Sequence, residues 1–185
     1  MKMQTMPVIR TAMPMDAGAL YAMQAQSMRA LAGKVYSPAE VESFLAHIGT
    51  MDPYLVDDGT FFIAESGDQV VGCGGWTLRS PGYARPGANE AVNDDAKAPI
   101  IRSIFVHPRF VRQGIARRIM TLIERTLVFD GHREATLTAT LSGLPFYLSL
   151  GYQMGKTLQL RLPDDETFTG IAMRKRLIED RKKAA

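Results

Sequence analysis

The sequence predicts an α/β fold in which a mixed, mainly antiparallel sheet of about seven strands carries helices on both faces. Three observations predict this fold. Apolar runs of strand length alternate with segments of helical periodicity, and two pairs of runs are joined by short turns. A strand, a tight turn and a long helix then follow one another in the middle of the chain, so the full order of elements is βααβββαβαββ.

The N-terminal part of the chain predicts one short strand and two helices. Residues 8–12 form the strand, and Asp16 is a candidate N-cap for an amphipathic helix over residues 17–32. The segment Ser37-Pro38-Ala39-Glu40 predicts the start of the second helix. Serine at the cap, proline at the first position and glutamate three residues after the cap form a capping box. Tyr36 precedes this cap, and it is either a packing residue or part of an acceptor pocket.

An antiparallel hairpin is predicted for residues 61–65 and 70–78, with a turn at 66–68. Its second strand carries three glycines: Gly72, Gly74 and Gly75. Glycine weakens a strand unless a bulge or a close approach requires it. Trp76 and Arg79 follow, and they either cover the core or lie beside an acceptor site.

The stretch 80–98 is rich in Pro, Gly, Asn and Asp and shows no periodicity. It predicts a long surface loop, and loops of this length in a compact domain are usually functional or mobile. Two interpretations remain open, a lid over the acceptor and simple disorder.

The central stretch is the strongest local signal for a ligand. Residues 100–106 form an apolar, β-branched strand that Pro108 ends, and a helix with an apolar face begins at Gly114. The first amides of a helix lack partners within it, and the helix dipole adds partial positive charge there. Gly114 and Ala116 leave the backbone open to a diphosphate. Four arginines surround the turn: Arg109, Arg112, Arg117 and Arg118. An ordinary strand-to-helix connection with a solvated basic rim fits this pattern equally well.

The C-terminal part completes the sheet. It predicts a helix end at 130–131, strands at 135–141, 153–162 and 170–177, a short helix at 144–150 and a charged tail at 178–185. Gly151 ends the short helix, and a turn at 163–165 joins the last two strands.

Composition predicts one globular domain, residues 1–185, and narrows its function. The chain is 46% hydrophobic and 22% charged, and its net charge of +3 is too small to indicate a nucleic-acid-binding protein. The single cysteine, Cys73, forms no internal disulfide and is expected to be a small buried residue. No metal-ligand spacing, apolar run of membrane-spanning length or signal-peptide pattern is present. We therefore expect no metal, no membrane partner and a cytoplasmic location.

Two segments resemble the GNAT acetyltransferase superfamily. Val106-His107-Pro108 followed by Arg112-Gln113-Gly114-Ile115-Ala116 resembles the acetyl-CoA-binding motif V-x-P, two residues, then Q/R-x-x-G-x-G/A. Val111 stands where Gln or Arg is usual. Leu144-Pro145-Phe146-Tyr147 with Leu150-Gly151-Tyr152 resembles the segment A-x-x-F/L-Y-x-x-x-G-F/Y. The order of elements also matches the GNAT fold across nearly the whole chain.

The resemblance implies an acyl-CoA-dependent N-acetyltransferase that moves an acetyl group directly from acetyl-CoA, or another acyl-CoA, to a primary amine of a small molecule or protein. It implies a diphosphate on the backbone of the turn, a pantetheine arm beside the central strand, and a gap between that strand and the next. The implied cofactor-binding residues are Ile104, Phe105, Val106, Val111, Arg112, Gln113, Gly114, Ile115, Ala116 and Arg117. Tyr147 is the implied general acid for the leaving thiolate, with packing against the sheet as its alternative role.

The acceptor half of the site is less defined. Candidate acceptor residues are Tyr36, Trp76, Arg79 and Arg102; if both arginines face the cleft, they predict an acceptor with a carboxylate or phosphate. Arg102 occupies the position where a catalytic carboxylate would be expected. Glu65 is a weak candidate base, and three acids of the loop, Glu90, Asp94 and Asp95, are weaker ones. His107 is expected to face solvent. A non-catalytic acyl-CoA sensor is the alternative function, and a homodimer through the last two strands is left open.

Overall fold

A computed structural model describes residues 6–50, 53–79 and 98–177. The strands are β1 Val8–Thr11, β2 Phe61–Ser66, β3 Gln69–Thr77, β4 Ile100–Val106, β5 Glu134–Thr140, β6 Gln153–Arg161 and β7 Thr167–Arg176. The α-helices are α1 Ala17–Ser27, α2 Pro38–His47, α3 Pro53–Asp57, α4 Ile115–Phe129 and α5 Leu144–Ser149. Most of the predicted loop 80–98 and the whole predicted tail 178–185 lie outside the described residues.

All seven strands form one sheet in the order β1-β2-β3-β4-β5-β7-β6. Every neighbouring pair is antiparallel except β4 and β5, which are parallel. This confirms the predicted α/β fold with a mixed, mainly antiparallel sheet. The parallel pair arises because β4 is followed by a crossover helix, α4, before the chain returns in β5.

Helices cover both faces of the sheet. On one face, Ile119 and Ile123 of α4 pack in a buried cluster with Ile101 and Leu137 of the central strands. On the other face, α1 packs Leu20 and Met23 against strands β2 and β3. Residues along each strand alternate between the two faces, so both clusters share the same strands.

Two helical features were not predicted. The helix predicted for residues 17–32 is α-helical only to Ser27 and continues as a π-helical turn, Met28–Ala32. The five-residue helix α3 is too short to give a periodic signal. A π-helical turn widens the backbone ring locally, and such turns are frequent at functional sites.

The predicted capping box of α2 is confirmed. The Ser37 hydroxyl accepts a hydrogen bond from the Glu40 amide at 3.1 Å, and the Glu40 carboxylate accepts one from the Ser37 amide at 2.7 Å. We expect Ser37→Ala to lower the free energy of unfolding by about 1 kcal/mol, because one of the first amides of α2 loses its partner. Urea unfolding would measure this loss. Glu42→Ala, which removes an exposed ion pair between α2 and Arg29, is the control and should cost less.

Asp16 stands at the predicted N-cap position of α1, but its side chain makes no capping hydrogen bond to that helix. Asp16 ends a 3-10 turn, Pro14–Asp16, and its carboxylate accepts hydrogen bonds from the Met13 amide at 2.7 Å and from both terminal nitrogens of Arg10 at 2.8 Å. Arg10 also binds the carboxylate of Glu65, with Nε and Nη2 at 2.9 and 2.7 Å. A buried carboxylate is stabilised more by a guanidinium partner than by a helix amide, so tertiary pairing overrides the local signal.

This network should make stability depend on acid pH. The hydrogen bonds from Arg10 hold the pKa of the Asp16 carboxyl below its usual range. Because the pKa of this carboxyl is lower in the folded chain, its ionised form stabilises the fold at any pH above the unfolded-state pKa of about 4. This stabilisation is lost as the pH falls through the folded-state pKa. We expect Asp16→Asn to lower the melting temperature at pH 7. Below pH 4, the difference in melting temperature between this variant and the wild type should become smaller. Equal losses at both pH values would show that the carboxylate charge contributes nothing.

The glycines of β3 allow both a close approach of neighbouring segments and a β-bulge, the two purposes predicted for them. A Cβ on Gly72 would lie 2.6 Å from Ile115 Cγ2, and a Cβ on Gly75 would lie 2.6 Å from the Thr60 carbonyl oxygen. The register between β3 and β4 shifts between Cys73 and Gly75, which marks a β-bulge. Small residues therefore let α4 approach the sheet closely beside an irregular stretch of β4.

Candidate active site

Strands β4 and β5 separate soon after they begin. They are paired only at Ile100 with Thr136 and at Ile101 with Leu137. The rest of β4 keeps its pairing with β3, while β5 keeps its pairing with β7 along its whole length. The gap that the resemblance implied beside the central strand is therefore present.

A cavity of about 680 Å³ occupies this gap. It is lined by β4 from Ile100 to Val106, by Thr136, Leu137, Thr138 and Thr140 of β5, and by Ser142, Gly143, Phe146 and Tyr147 near α5. Val111, Arg112 and Ala116 line it from the turn before α4. The volume is that of a small-molecule site, and the cavity joins the central strand, the turn and the predicted tyrosine.

The turn before α4 has the geometry of an anion site. Gly114 caps the helix at φ 78°, a left-handed conformation, and a Cβ there would meet no atom within 4 Å. Arg112 is also left-handed, at φ 64°. No described residue accepts a hydrogen bond from the backbone amides of residues 112–117. These amides and the positive end of α4 form an open cradle that can bind a phosphate group.

The remaining predicted turn residues have mainly structural contacts. The Ile115 side chain is buried against β3, and Arg117 donates a hydrogen bond to the Ser149 hydroxyl of α5 at 3.3 Å. Arg118 donates to the Pro7 carbonyl at 2.8 Å. Gln113 is exposed. The amides of Gln113, Ile115 and Arg117 stay available to a ligand in the cradle, whereas the Arg118 amide donates to the Gly114 carbonyl.

Tyr147 lies on α5 and faces the cavity. It is 9% exposed, and its ring packs near Phe146 and Tyr152 at centroid distances of 5.2 and 6.0 Å. Its hydroxyl makes no hydrogen bond with any described residue. Burial raises the pKa of the Tyr147 phenol above its usual range, so its hydroxyl carries a proton at neutral pH.

Three of the four predicted acceptor residues do not line the cavity. Tyr36 is buried, stacks on Phe168, and its hydroxyl bonds to the Thr169 carbonyl and the Leu141 amide. Trp76 is buried, and its ring packs edge-on to His132 with the ring centroids 5.9 Å apart. The geometry does not support acceptor contact for these two residues, and it favours the packing alternative for both.

Arg79 and Arg102 are not brought together. Arg79 binds Asp58 at 2.6 Å and lies 4.9 Å over the Tyr54 ring, away from the cavity lining. Arg102 does line the cavity. The condition that both arginines face the cleft is therefore not met, because Arg79 lies beyond the end of β3 and pairs with Asp58, just after α3.

The other titratable candidates also have structural partners. His107 is buried rather than exposed, since its Nδ1 accepts a hydrogen bond from the Arg109 amide at 3.1 Å and its ring contacts Phe110. Glu65 pairs with Arg10 at the other side of the sheet and does not line the cavity. Cys73 is buried as predicted, and burial raises the pKa of its thiol to about 12. Its thiol is thus uncharged at neutral pH.

One set of lining residues was missed entirely. These residues lie on or shortly after the π-helical turn and α2, and they are Met28, Leu31, Val35, Phe44 and Ile48. Their helical spacing predicts only a buried face, and nothing in that pattern distinguishes a cavity wall from a core. Within the described ranges, no helix is long and apolar enough to cross a membrane, and no group of His, Cys, Asp or Glu is arranged to hold a metal.

Comparison with solved structures shows the same fold. The N-acetyltransferase described as GCN5-related from Rhodopseudomonas palustris is 19% identical, with a TM-score of 0.72 over 95% of this chain and 99% of that one. PaiA N-acetyltransferase from Thermoplasma acidophilum, solved with coenzyme A, is 14% identical, with a TM-score of 0.67 over 93% and 99%. The ribosomal-protein-S18-alanine N-acetyltransferase from Escherichia coli is 14% identical, with a TM-score of 0.59 over 97% and 99%.

No curated protein matches the sequence at a significant level. A family model does match it: the acetyltransferase (GNAT) domain covers residues 57–154, more than half of the chain. This range contains the glycine-bearing strand β3, the amide cradle, the gap beside β4 and Tyr147. The chain therefore belongs to the GNAT family of acetyltransferases.

Proposed function

We propose that this protein transfers an acetyl group from acetyl-CoA directly to a primary amine of a small molecule or a protein. One observation carries the proposal: a single cavity joins the open amide cradle before α4, the free edge of β4 and the buried phenol of Tyr147. PaiA was solved with coenzyme A, and the name of the Escherichia coli enzyme gives an alanine of ribosomal protein S18 as its acceptor. Both facts support the same class of reaction here.

The residues present fit the cofactor. The diphosphate binds the amides of residues 112–117, where Gly114 leaves open space and Arg112 adds positive charge. The pantetheine arm lies along Ile104, Phe105 and Val106, where β4 has lost its β5 partner and offers backbone groups to an added strand. This arrangement directs the thioester towards Tyr147.

The reaction requires one proton to leave the amine and one to reach the sulfur. A neutral amine attacks the thioester carbonyl, a carbon–nitrogen bond forms, and the carbon–sulfur bond breaks. A free amine of the lysine type has a pKa of about 10.4, so deprotonation must accompany or precede attack. Backbone amides of Ile104 to Val106 stabilise the oxyanion, and the Tyr147 hydroxyl gives its proton to the departing thiolate. The resulting phenolate regains a proton, the one that the nitrogen loses as the amide forms, so the step balances.

Thermal-shift titration with CoA and acetyl-CoA, followed by thiol-release assays over an amine panel, tests this proposal. We expect both ligands to raise the melting temperature, because both bind only the folded chain. Thiol release should then require an amine. Stabilisation without turnover on any amine would indicate an acyl-CoA sensor, and no stabilisation by either ligand would refute the proposal.

A further inference from the structure

The cavity passes through the sheet rather than ending in it. Val111, Arg112 and Ala116 line it from the α4 face, whereas Met28, Leu31 and Phe44 line it from the opposite face. The proposed cofactor enters by the turn before α4. The space left for the attacking amine is therefore the part of the cavity beneath α1 and α2, which we call the acceptor arm.

Apolar side chains form the helical wall of the acceptor arm. Leu31, Phe44 and Ile48 are half-buried, and Val35 is 52% exposed, although all four line a concave surface. A ligand that covers half-buried apolar groups removes their remaining contact with water, and this makes the free energy of binding more favourable. The π-helical turn Met28–Ala32 shapes this wall, since it departs from regular α-helix where the cavity begins.

Arg112 lies at the cradle, and the other charged side chains among the described lining residues, Lys34 and Arg102, are both cationic. No described lining residue carries a carboxylate that would pair with a second positive charge on an acceptor. We propose that the acceptor is a small primary amine with an apolar body and no further positive charge. This inference rests on the proposed function, because it describes the second substrate of that reaction.

Acceptor kinetics at saturating acetyl-CoA test this inference. Phenethylamine and leucine amide should exceed spermidine and a lysine-rich peptide in kcat/KM by about tenfold or more, a typical value for a few apolar contacts. Leu31→Gln should lower kcat/KM for phenethylamine and leucine amide, change it little for spermidine, and leave the KM for acetyl-CoA unchanged. Phe129→Gln is the matched control, since Phe129 is 90% exposed at the far end of α4 and does not line the cavity.

Two results would overturn the inference while leaving the proposed function intact. One is a preference for spermidine or the peptide. The other is an effect of Leu31→Gln on acyl length, measured with acetyl-, butyryl- and hexanoyl-CoA, in place of an effect on the amine. The latter would assign the acceptor arm to the acyl chain. Absence of turnover with every amine would instead count against the proposed function.

A separate observation concerns the bulge of β4. Ser103 adopts φ 56°, which is left-handed and unusual for a residue with a side chain inside a strand. Two residues of β4, Ser103 and Ile104, lie opposite the single residue Gly74 of β3. Both also line the cavity, so the strained stretch of β4 faces the space assigned to the substrates.

A closed ring of hydrogen bonds holds this bulge. The Ser103 hydroxyl donates to the Thr50 carbonyl at 2.7 Å, and the Thr50 hydroxyl donates to Gln24 Oε1 at 2.9 Å. Gln24 Nε2 donates to Cys73 Sγ at 3.3 Å, and that thiol donates to the Ser103 carbonyl at 3.4 Å. Gln24, Thr50 and Cys73 are buried, so the two bonds made by the Gln24 side chain are protected from competition with water.

We infer that Gln24 and Thr50 are positioning residues for catalysis. The ring links α1, the segment after α2, β3 and β4, and it fixes both the carbonyl and the hydroxyl of the one strained residue. The direction of the neighbouring Ile104 amide follows from that fixed backbone. Strain of this kind persists only where surrounding contacts determine it, and it is frequent at active sites. This inference also rests on the proposed function, since it concerns the presentation of β4 to the thioester.

Substitutions at Thr50 and Ser103 separate positioning from simple stability. Thr50→Val keeps the shape and removes the hydroxyl, and it should lower kcat about tenfold or more, because small misplacements of reacting groups are costly. Thr50→Ser restores a hydroxyl and should recover most of kcat. Glycine at position 103 adopts the positive φ without strain, so the Ser103→Gly variant should fold. It loses the hydrogen bond from the Ser103 hydroxyl to the Thr50 carbonyl. Active protein is counted by CoA titration.

A structural role alone would lower the melting temperature and the active fraction without changing kcat per CoA-binding site. Wild-type kcat in Thr50→Val, or in Ser103→Gly if the valine variant does not fold, would overturn this inference. Inactive wild-type protein would instead contradict the proposed function.

Discussion

Replacing Tyr147 with phenylalanine is expected to lower kcat about 100-fold, the lower end of the range for losing a positioned general acid. The thiolate must then leave without a proton donor, so the effect falls on the chemical step. Ring packing with Phe146 and Tyr152 is preserved. CoA affinity and the melting temperature should therefore stay close to wild type. Stopped-flow thiol release and CoA titration would measure the two quantities.

The pH profile provides an independent check on Tyr147. Burial raises the pKa of its phenol, so the hydroxyl keeps its proton from neutral into alkaline pH. A rising pH increases the neutral fraction of the amine but does not remove this acid. We therefore expect the wild-type rate to rise with pH without an alkaline decline below about pH 10, the usual pKa of tyrosine. A decline near pH 8 would assign the acid to another group.

Tyr152→Phe is the matched control for this substitution. Tyr152 is buried next to Tyr147, its hydroxyl interacts with the Glu124 carboxylate, and it does not line the cavity. Removing this hydroxyl should change stability modestly and leave kcat unchanged. If Tyr147→Phe and Tyr152→Phe lower kcat equally, Tyr147 is a packing residue and the general acid lies elsewhere.

The cofactor half of the site was predictable because its signals are local. A strand that ends at Pro108, a glycine at the helix start and an apolar helix face are each visible within a few residues, and the structure has each of them. Tyr147 follows a similar logic, since Gly151 ends its short helix at φ 86°. Backbone conformation at such points depends mainly on which residue types tolerate it.

The acceptor half was not predictable because it depends on contacts between distant segments. Leu31 and Phe44 belong to different helices, and only tertiary packing places them on a cavity instead of in the core. Ser103 gives no sign of its positive φ, because the ring that holds it draws on residues about 30 to 80 positions away in sequence. Arg79 was misplaced for the same reason, since its partner Asp58 lies on another element.

The second large predicted effect is a loss of affinity for CoA and acetyl-CoA at the amide cradle before α4. Gly114→Ala should weaken binding of CoA and acetyl-CoA about 10- to 100-fold, since one distorted phosphate hydrogen bond is worth roughly 1.5–3 kcal/mol. Gly114 stands at φ 78°, and the space beside its Cα holds no protein atom within 4 Å of where a Cβ would lie. A methyl group would therefore enter the space that a phosphate needs. Calorimetric titration with CoA would give the change in Kd.

Gly131→Ala separates this effect from backbone strain. Gly131 follows the other end of α4 at φ 88°, also with open space around a Cβ, so an alanine there costs similar stability. Both variants should lose a comparable few degrees in melting temperature, but only Gly114→Ala should lose CoA affinity. Equal CoA affinity in the two variants would mean that the amides of residues 112–117 do not bind the diphosphate. A selective loss would instead support the phosphate-binding role of this turn, because the strain imposed at the two ends of the helix is matched.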